Sequence, residues 1–347
     1  MKHVFVLGCE RSGTTWLSNI FDSHPDVEFF MEPFADYAAI FEKIPGRNIY
    51  SDHPGEELTN EVKNGYNKLY SLKYPLFYKS GRPLYLKKLD KFIIESYQRI
   101  KRRFKSPVSL KIQRYDLLHL NTRNIPPDRQ SRKSANPSFT VTKELRLNFK
   151  IGLISGAFPG AGILVCIRHP GAQAASIMKL FSRGSLGELH RSLLTFMDDI
   201  KNCPRFEKYR DLINHSDWEN DPEIKLVLWW LINYDVMLED LYRFQCTFRL
   251  VSHEEISEDP DKVVNRVFDF IGLDFVGEVR SYLDLSSKSN GDIQSNVDTR
   301  RDSANYYKKM IKAVNPVLND KIRQVILHYS ETLNPLLRSY LETCYDL

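Results

Sequence analysis

Eight residues near the start of the chain, Gly8-Cys9-Glu10-Arg11-Ser12-Gly13-Thr14-Thr15, have the G-x-x-x-x-G spacing of a phosphate-binding loop. Thr14 stands where an ATPase or kinase needs lysine, which argues against ordinary ATP or GTP chemistry. Arg11, earlier in the loop, offers a replacement cation whose planar fork suits a tetrahedral oxyanion. The apolar run Val4-Phe5-Val6-Leu7 precedes the loop, and Trp16-Leu17-Ser18-Asn19-Ile20-Phe21 continues it with a helical pattern. In such a strand–loop–helix setting, backbone N–H groups and the positive helix end converge on one point and stabilise an anion there. The expected cargo is a phosphate or sulfate ester other than a magnesium–nucleoside triphosphate.

Two further segments carry cations. Arg168, in Ile167-Arg168-His169-Pro170-Gly171, follows the most strongly apolar run of the chain, at the edge where open α/β sheets bind ligands. Ser176, eight residues later, falls on the second turn of the next helix and offers a hydroxyl to the same anion. A second phosphate, apart from the one in the loop, is the natural cargo; the alternative is an arginine pairing with a carboxylate at a surface turn. Arg300 and Arg301 lie in the polar stretch Asn296–Ser303. They suit a lid over a polyanion, and equally a plain solvated loop.

The elements that must position these residues alternate between strand and helix, which favours a parallel sheet with helices on both faces. Strands are expected at 3–7, 27–31, 108–112, 139–142, 162–167 and 247–251. Helices are expected at 14–23, 172–181, 224–242 and 260–271, the last with Asp259 as N-cap. Proline ends the first helix at His24-Pro25-Asp26. Residues 35–105 are less orderly, with Pro45-Gly46, Pro54-Gly55 and Gly81-Arg82-Pro83 punctuating expected helices; 121–137 and 286–302 read as loops, and two or three helices close the chain. The Trp229-Trp230 pair reads as core. The predicted fold class is α/β, a P-loop-like three-layer fold with a central parallel sheet flanked by helices, in one domain spanning 1–347.

Composition narrows the function classes. Apolar residues make up 42% and charged residues 27% of the 347, as in soluble globular proteins. No run approaches the roughly eighteen apolar residues of a membrane span, and a strand begins almost at the N-terminus, leaving no room for a signal peptide. Cytoplasmic location is the resulting expectation. The five cysteines are scattered, without metal or disulfide spacing, and Cys9 reads as a small apolar filler rather than a reactive thiol. The net charge is +5, yet residues 98–150 hold fourteen Lys/Arg against three Asp/Glu. That stretch is either a solvated surface or an anion-attracting rim. Nucleic acid is not indicated, because no nucleic-acid motif accompanies the charge.

Together these segments resemble the sulfotransferase superfamily that uses 3′-phosphoadenosine-5′-phosphosulfate (PAPS). Arg11-Ser12-Gly13-Thr14-Thr15-Trp16-Leu17 is similar to its 5′-phosphosulfate loop, and Ile167-Arg168-His169-Pro170 with Ser176 to its 3′-phosphate site. Val141–Leu147 and Thr299–Ser303 resemble a strand and a late loop of the carbohydrate branch, and His253–Leu273 resembles the closing strand–helix. The likeness spans about 3–35 and 138–310 and fades over 36–137, where acceptor binding is expected. The small-molecule branch usually has lysine at the position of Arg11 and a late Gly-Asp-Trp-Lys, which this chain lacks. It therefore resembles more closely the carbohydrate and tyrosylprotein branches.

The resemblance implies sulfuryl transfer from PAPS, releasing adenosine 3′,5′-bisphosphate (PAP), to a hydroxyl or amine of a polar acceptor such as a carbohydrate or small molecule. By analogy with phosphoryl transfer this is an in-line displacement through a loose transition state. Arg11 and the amides of Ser12, Gly13, Thr14 and Thr15, with Trp16, are assigned to the 5′-phosphosulfate. Arg168 and Ser176 are assigned to the 3′-phosphate, with Arg300 and Arg301 in a covering loop at 286–310. Glu32 is the chosen base, since it follows the strand 27–31, emerges at the sheet edge of the loop, and lies at the separation from Arg11 that the family uses. Its alternative is a structural carboxylate pairing with Arg11 or Lys143. Lys143 is a further contact to sulfuryl or acceptor, and His24 competes as base but is explained by its turn. No metal is expected, and neither nucleic acid nor membrane is an expected partner. The competing readings are a P-loop nucleotide kinase, disfavoured at position 14, and a non-catalytic nucleotide-binding protein.

Overall fold

The computed structural model describes residues 1–36, 41, 43–44, 50–51, 55–71, 111–112, 115–116, 134, 136–181, 203–215, 221–286 and 316–345. Arg300, Arg301 and most of 36–133, with most of the basic stretch, lie outside the described residues.

Five strands form one parallel sheet: β1 (Lys2–Gly8), β2 (Val27–Met31), β3 (Phe139–Lys143), β4 (Gly162–Ile167) and β5 (Thr247–Ser252), in the order β2-β3-β1-β4-β5. The central strands β1 and β4 carry the apolar runs Val4–Leu7 and Ile163–Ile167, as expected where both sheet faces are covered. Side chains alternate between two cores, following the two-residue period of a strand. Phe5, Leu7, Ile163, Val165 and Ile167 enter one core; Val4, Val6, Leu164 and Cys166 enter the other.

The first core is closed by α3 (Glu56–Ser71), α4 (Ile151–Ala157) and the long α7 (Pro222–Arg243), in which Trp229 and Trp230 are buried as the sequence suggests. The second is closed by α1 (Thr14–Asp22) and α9 (Pro260–Ile271), whose Phe21 and Phe268 rings stack at 5.2 Å. Asp259 caps α9 by accepting the Lys262 amide at 3.0 Å, and Gly272 ends it in the left-handed region. The remaining described helices are α2 (Pro33–Asp36), α5 (Pro170–Phe181), α6 (Arg210–His215), α8 (His253–Glu258), α10 (Gly277–Leu285), α11 (Pro316–Tyr329) and α12 (Pro335–Tyr345). Among the described residues, no helix is long and apolar enough to cross a membrane.

Differences from the sequence reading are local. Within 108–112 the structure describes only Lys111–Ile112, paired antiparallel with Tyr115–Asp116 outside the main sheet. The less orderly stretch 35–105 does contain one of its expected helices, α3, sixteen residues long and starting just after Pro54-Gly55. α4 is absent from the sequence reading, because Gly152, Ser155 and Gly156 are poor helix formers. Packing of Ile151, Leu153 and Ile154 overrides that propensity.

The strand order creates a divergence at the centre. From β1 the chain passes to β2 on one side, and from β4 to β5 on the other. Adjacent strands whose connections part in this way leave a crevice at their C-terminal ends.

Candidate functional site

The phosphate loop leaves β1 at Gly8 and enters α1 at Thr14. Glycine is required at both ends. A Cβ on Gly8 would meet the Cys166 carbonyl at 2.4 Å, and one on Gly13, where φ is 98°, would meet His253 Nδ1 at 3.0 Å. Arg11 is also left-handed, at φ 66°, a conformation that costs a non-glycine residue about 1–3 kcal/mol. The strain turns its side chain out of the loop while the neighbours turn in. Ser12 is buried, its hydroxyl donating to the Cys9 carbonyl at 2.7 Å and its amide to the same oxygen at 3.3 Å. Ser12 therefore braces the loop from inside. Cys9 is fully buried, the apolar filler expected.

Trp16 also points inward. Its indole is buried in the core beneath α1 and donates to Ser286 Oγ at 2.9 Å. The amides at the start of α1 have no intrahelical carbonyl to bond, as at any helix start, and the Gly13 cap supplies no side-chain partner.

Arg168 leaves β4 beside the loop and donates from Nη1 to the Arg11 carbonyl at 3.2 Å. Arg11 Nε donates to Ser176 Oγ at 3.1 Å. The sequence reading grouped Ser176 with Arg168, whereas here its hydroxyl meets the other arginine. Both arginines and Ser176 thus occupy one crevice, at the divergence between β1 and β4. The next residue, His169, caps α5: its Nδ1 accepts the Ala172 amide at 3.3 Å, and its own amide donates to Glu254 Oε1 at 3.0 Å. Burial lowers the His169 pKa to about 4, so the ring is neutral with its proton on Nε2. His24 is held in its turn as expected, with Nδ1 accepting the Asp26 amide and Nε2 facing the Asp274 carbonyl.

A second group lies on the same sheet edge. Val6 and Met31 both pair in register with Lys143, so β2 and β3 end level with each other, two residues short of the end of β1. Glu32, in the left-handed region at φ 48°, donates its amide to the Lys143 carbonyl at 2.6 Å. Lys143 Nζ in turn donates to Glu32 Oε1, an ion pair whose lysine is buried and whose carboxylate is partly open.

Glu144, missed as a site residue in the sequence, is fully buried beside this pair. Its Oε2 accepts the Phe34 amide at 3.0 Å, and its Oε1 accepts those of Leu145 and Arg146 at 2.8 and 3.1 Å. Desolvation, then the charge of Glu32, pushes its pKa up to about 7. The available signal was a carboxylate next to lysine at the end of an apolar strand.

The model of the sulfotransferase family matches residues 3–277. The chain belongs to the sulfotransferase family. The match spans the loop, the Glu32–Lys143 pair and the Arg168 crevice. Similar solved structures are a sulfotransferase domain from the curacin biosynthetic pathway and sulfotransferase STF9 from Mycobacterium avium. The first is 14% identical, covering 94% of this chain and 96% of that one, with a TM-score of 0.41. The second is 13% identical, covering 96% and 77%, also with a TM-score of 0.41. A sulfotransferase from Alicyclobacillus acidocaldarius is 17% identical, covering 82% and 90%, with a TM-score of 0.35. No curated protein matches the sequence.

Proposed function

We propose that this sulfotransferase moves the sulfuryl group of PAPS to a hydroxyl or amine of a polar acceptor, such as a carbohydrate or small molecule. The observation that carries the reading is the crevice itself: two guanidinium groups, the Ser176 hydroxyl and the open end of α1 gather at one sheet edge. A ligand with two separated anionic groups fits that donor set. Arg11 and the amides of Gly13, Thr14 and Thr15 hold the 5′-phosphosulfate; Arg168, with Ser176 within reach, holds the 3′-phosphate. Trp16 and Ser12 act from beneath, as supports of the loop. Arg300 and Arg301, outside the described residues, are assigned to the covering loop.

In the transfer, the acceptor oxygen or nitrogen forms a bond to sulfur as the bond from sulfur to the bridging oxygen breaks. The electron pair of that bond leaves on the bridging oxygen, which becomes a terminal phosphate oxygen of PAP. Arg11 and the loop amides stabilise that growing charge without reorganising. The acceptor proton passes to Glu32. Lys143, already paired with Glu32, keeps the carboxylate oriented and lies beside the transferring group. Glu32 is partly open whereas Glu144 is sealed by three amides, which favours Glu32 as the group that meets the acceptor.

Glu32→Gln tests the assignment. It should lower kcat by about 10²–10⁴-fold, the usual worth of a positioned base, and leave the affinity for PAP intact. Unchanged turnover removes Glu32 from the mechanism, and a wild-type protein that does not bind PAP removes the donor assignment.

A further inference from the structure

The two anion-binding segments are far apart in the chain, yet their main chains meet one helix. Trp230, Asn233 and Tyr234 of α7 are all buried and, at spacings of three and four, share one helix face. Trp230 Nε1 donates to the carbonyl of Arg168 at 3.1 Å. The Tyr234 hydroxyl accepts the amide of Cys9 at 3.1 Å and donates to the carbonyl of Cys166 at 2.7 Å. Asn233 Oδ1 accepts from Asn148 Nδ2 at 3.2 Å, and the same nitrogen lies 3.3 Å from the Gly8 carbonyl.

These contacts fall where β1 and β4 run out. A strand's hydrogen-bond ladder stops there, and buried amides and carbonyls need other partners. Filling the same volume needs only hydrocarbon. The polar atoms of α7 instead end on main-chain groups of the phosphate loop and of the Arg168 turn. One rigid helix thereby sets the spacing between the two cationic segments.

We propose that Tyr234 and Trp230 are positioning residues for donor binding, acting through the backbones that carry Arg11 and Arg168. The inference rests on the PAPS reading above and goes beyond it. Neither side chain touches the donor; each holds a segment that does. Removing the Tyr234 hydroxyl leaves the Cys9 amide and the Cys166 carbonyl without this partner, and the loop shifts to find others.

The test compares the wild type with Tyr234→Phe, Trp230→Phe and a control, Leu238→Val, which thins the same helix's core packing away from the loops. PAP affinity is measured by calorimetry well below each melting temperature. With an acceptor that supports turnover, KM for PAPS and kcat are measured as well. Tyr234→Phe and Trp230→Phe should each weaken PAP by about tenfold, the equivalent of one buried polar group losing its partner, and raise KM for PAPS with kcat largely retained. Leu238→Val should lower the melting temperature and leave PAP affinity unchanged. PAP affinities of both aromatic variants within twofold of wild type overturn the proposal, as does an equal loss in the control. If Tyr234→Phe does not fold, Trp230→Phe decides alone. A wild type that fails to bind PAP removes the donor reading and this inference with it; a wild type that binds alongside unaltered variants removes the inference only.

Discussion

Arg11, Gly13 and Glu32 all have positive φ, and all lie on the sheet edge that carries the site. Left-handed residues at Arg11 and Glu32 are retained at a cost, a pattern that clusters at active sites and ligand clamps. Gly13 differs in kind, since it accepts its φ of 98° freely but has the His253 ring against it. Gly13→Ala brings both penalties together, backbone strain and a 3.0 Å contact with Nδ1. The backbone strain stands whether or not the buried ring shifts. We expect the variant to remain folded, to melt lower than wild type, and to bind PAP more than tenfold more weakly by calorimetry. Wild-type affinity would show that the loop tolerates a side chain there and that its tight turn does not define the anion site. Gly-to-Ala is thus the smallest change that separates the loop's shape from its charge, since Arg11 is untouched.

At the scale of elements, α5 starts from His169, the residue after Arg168, and that start depends on a neutral imidazole. The folded-state pKa of His169 is about 4, below the ordinary 6.5 of the unfolded chain. Its contribution is present above pH 6.5 and is lost as pH falls from 6.5 through about 4, because the unfolded state then binds the proton more readily. His169→Asn substitutes a good cap that does not titrate. The melting temperature of that variant should fall less steeply than the wild type's between pH 6.5 and 4; parallel curves would show that His169 is not responsible.

Much at this scale was legible in the chain itself. Five of the six expected strands form the main sheet, and Asp259 caps α9 as expected because capping chemistry is local. Arg11, Arg168 and Ser176, singled out by spacing, do fall together, while Glu32 forms with Lys143 the ion pair that was the alternative to its role as base. What was not legible depends on direction. Trp16 and Ser12 read as ligand contacts, but both side chains face inward, to Ser286 and to the Cys9 carbonyl. Glu144 gave no sign of burial, since that follows from β3 lying between β1 and β2. Trp230 read as core, and it and Tyr234 are both core; only the folded structure shows where one N–H and one O–H end.

At the scale of the molecule, a ligand bridging Arg11 and Arg168 binds N and not the unfolded chain, so it must stabilise the fold. PAP at 100 times its dissociation constant should add about 2.7 kcal/mol to the unfolding free energy and raise the melting temperature accordingly. Scanning calorimetry with PAP, and with ATP as comparison, checks this; a shift with ATP alone would favour a different nucleotide. The bridge also has a consequence for the order of assembly. The ends of β1, β3 and β4 that frame the site come from residues 8, 143 and 167, brought side by side only by long-range parallel pairing. Such pairing is slow to form, because distant segments must meet before any contact repays the search. A nascent or half-denatured chain consequently has no weak version of this pocket to offer. Capture of a ligand that bridges the two arginines would report that the whole sheet has closed.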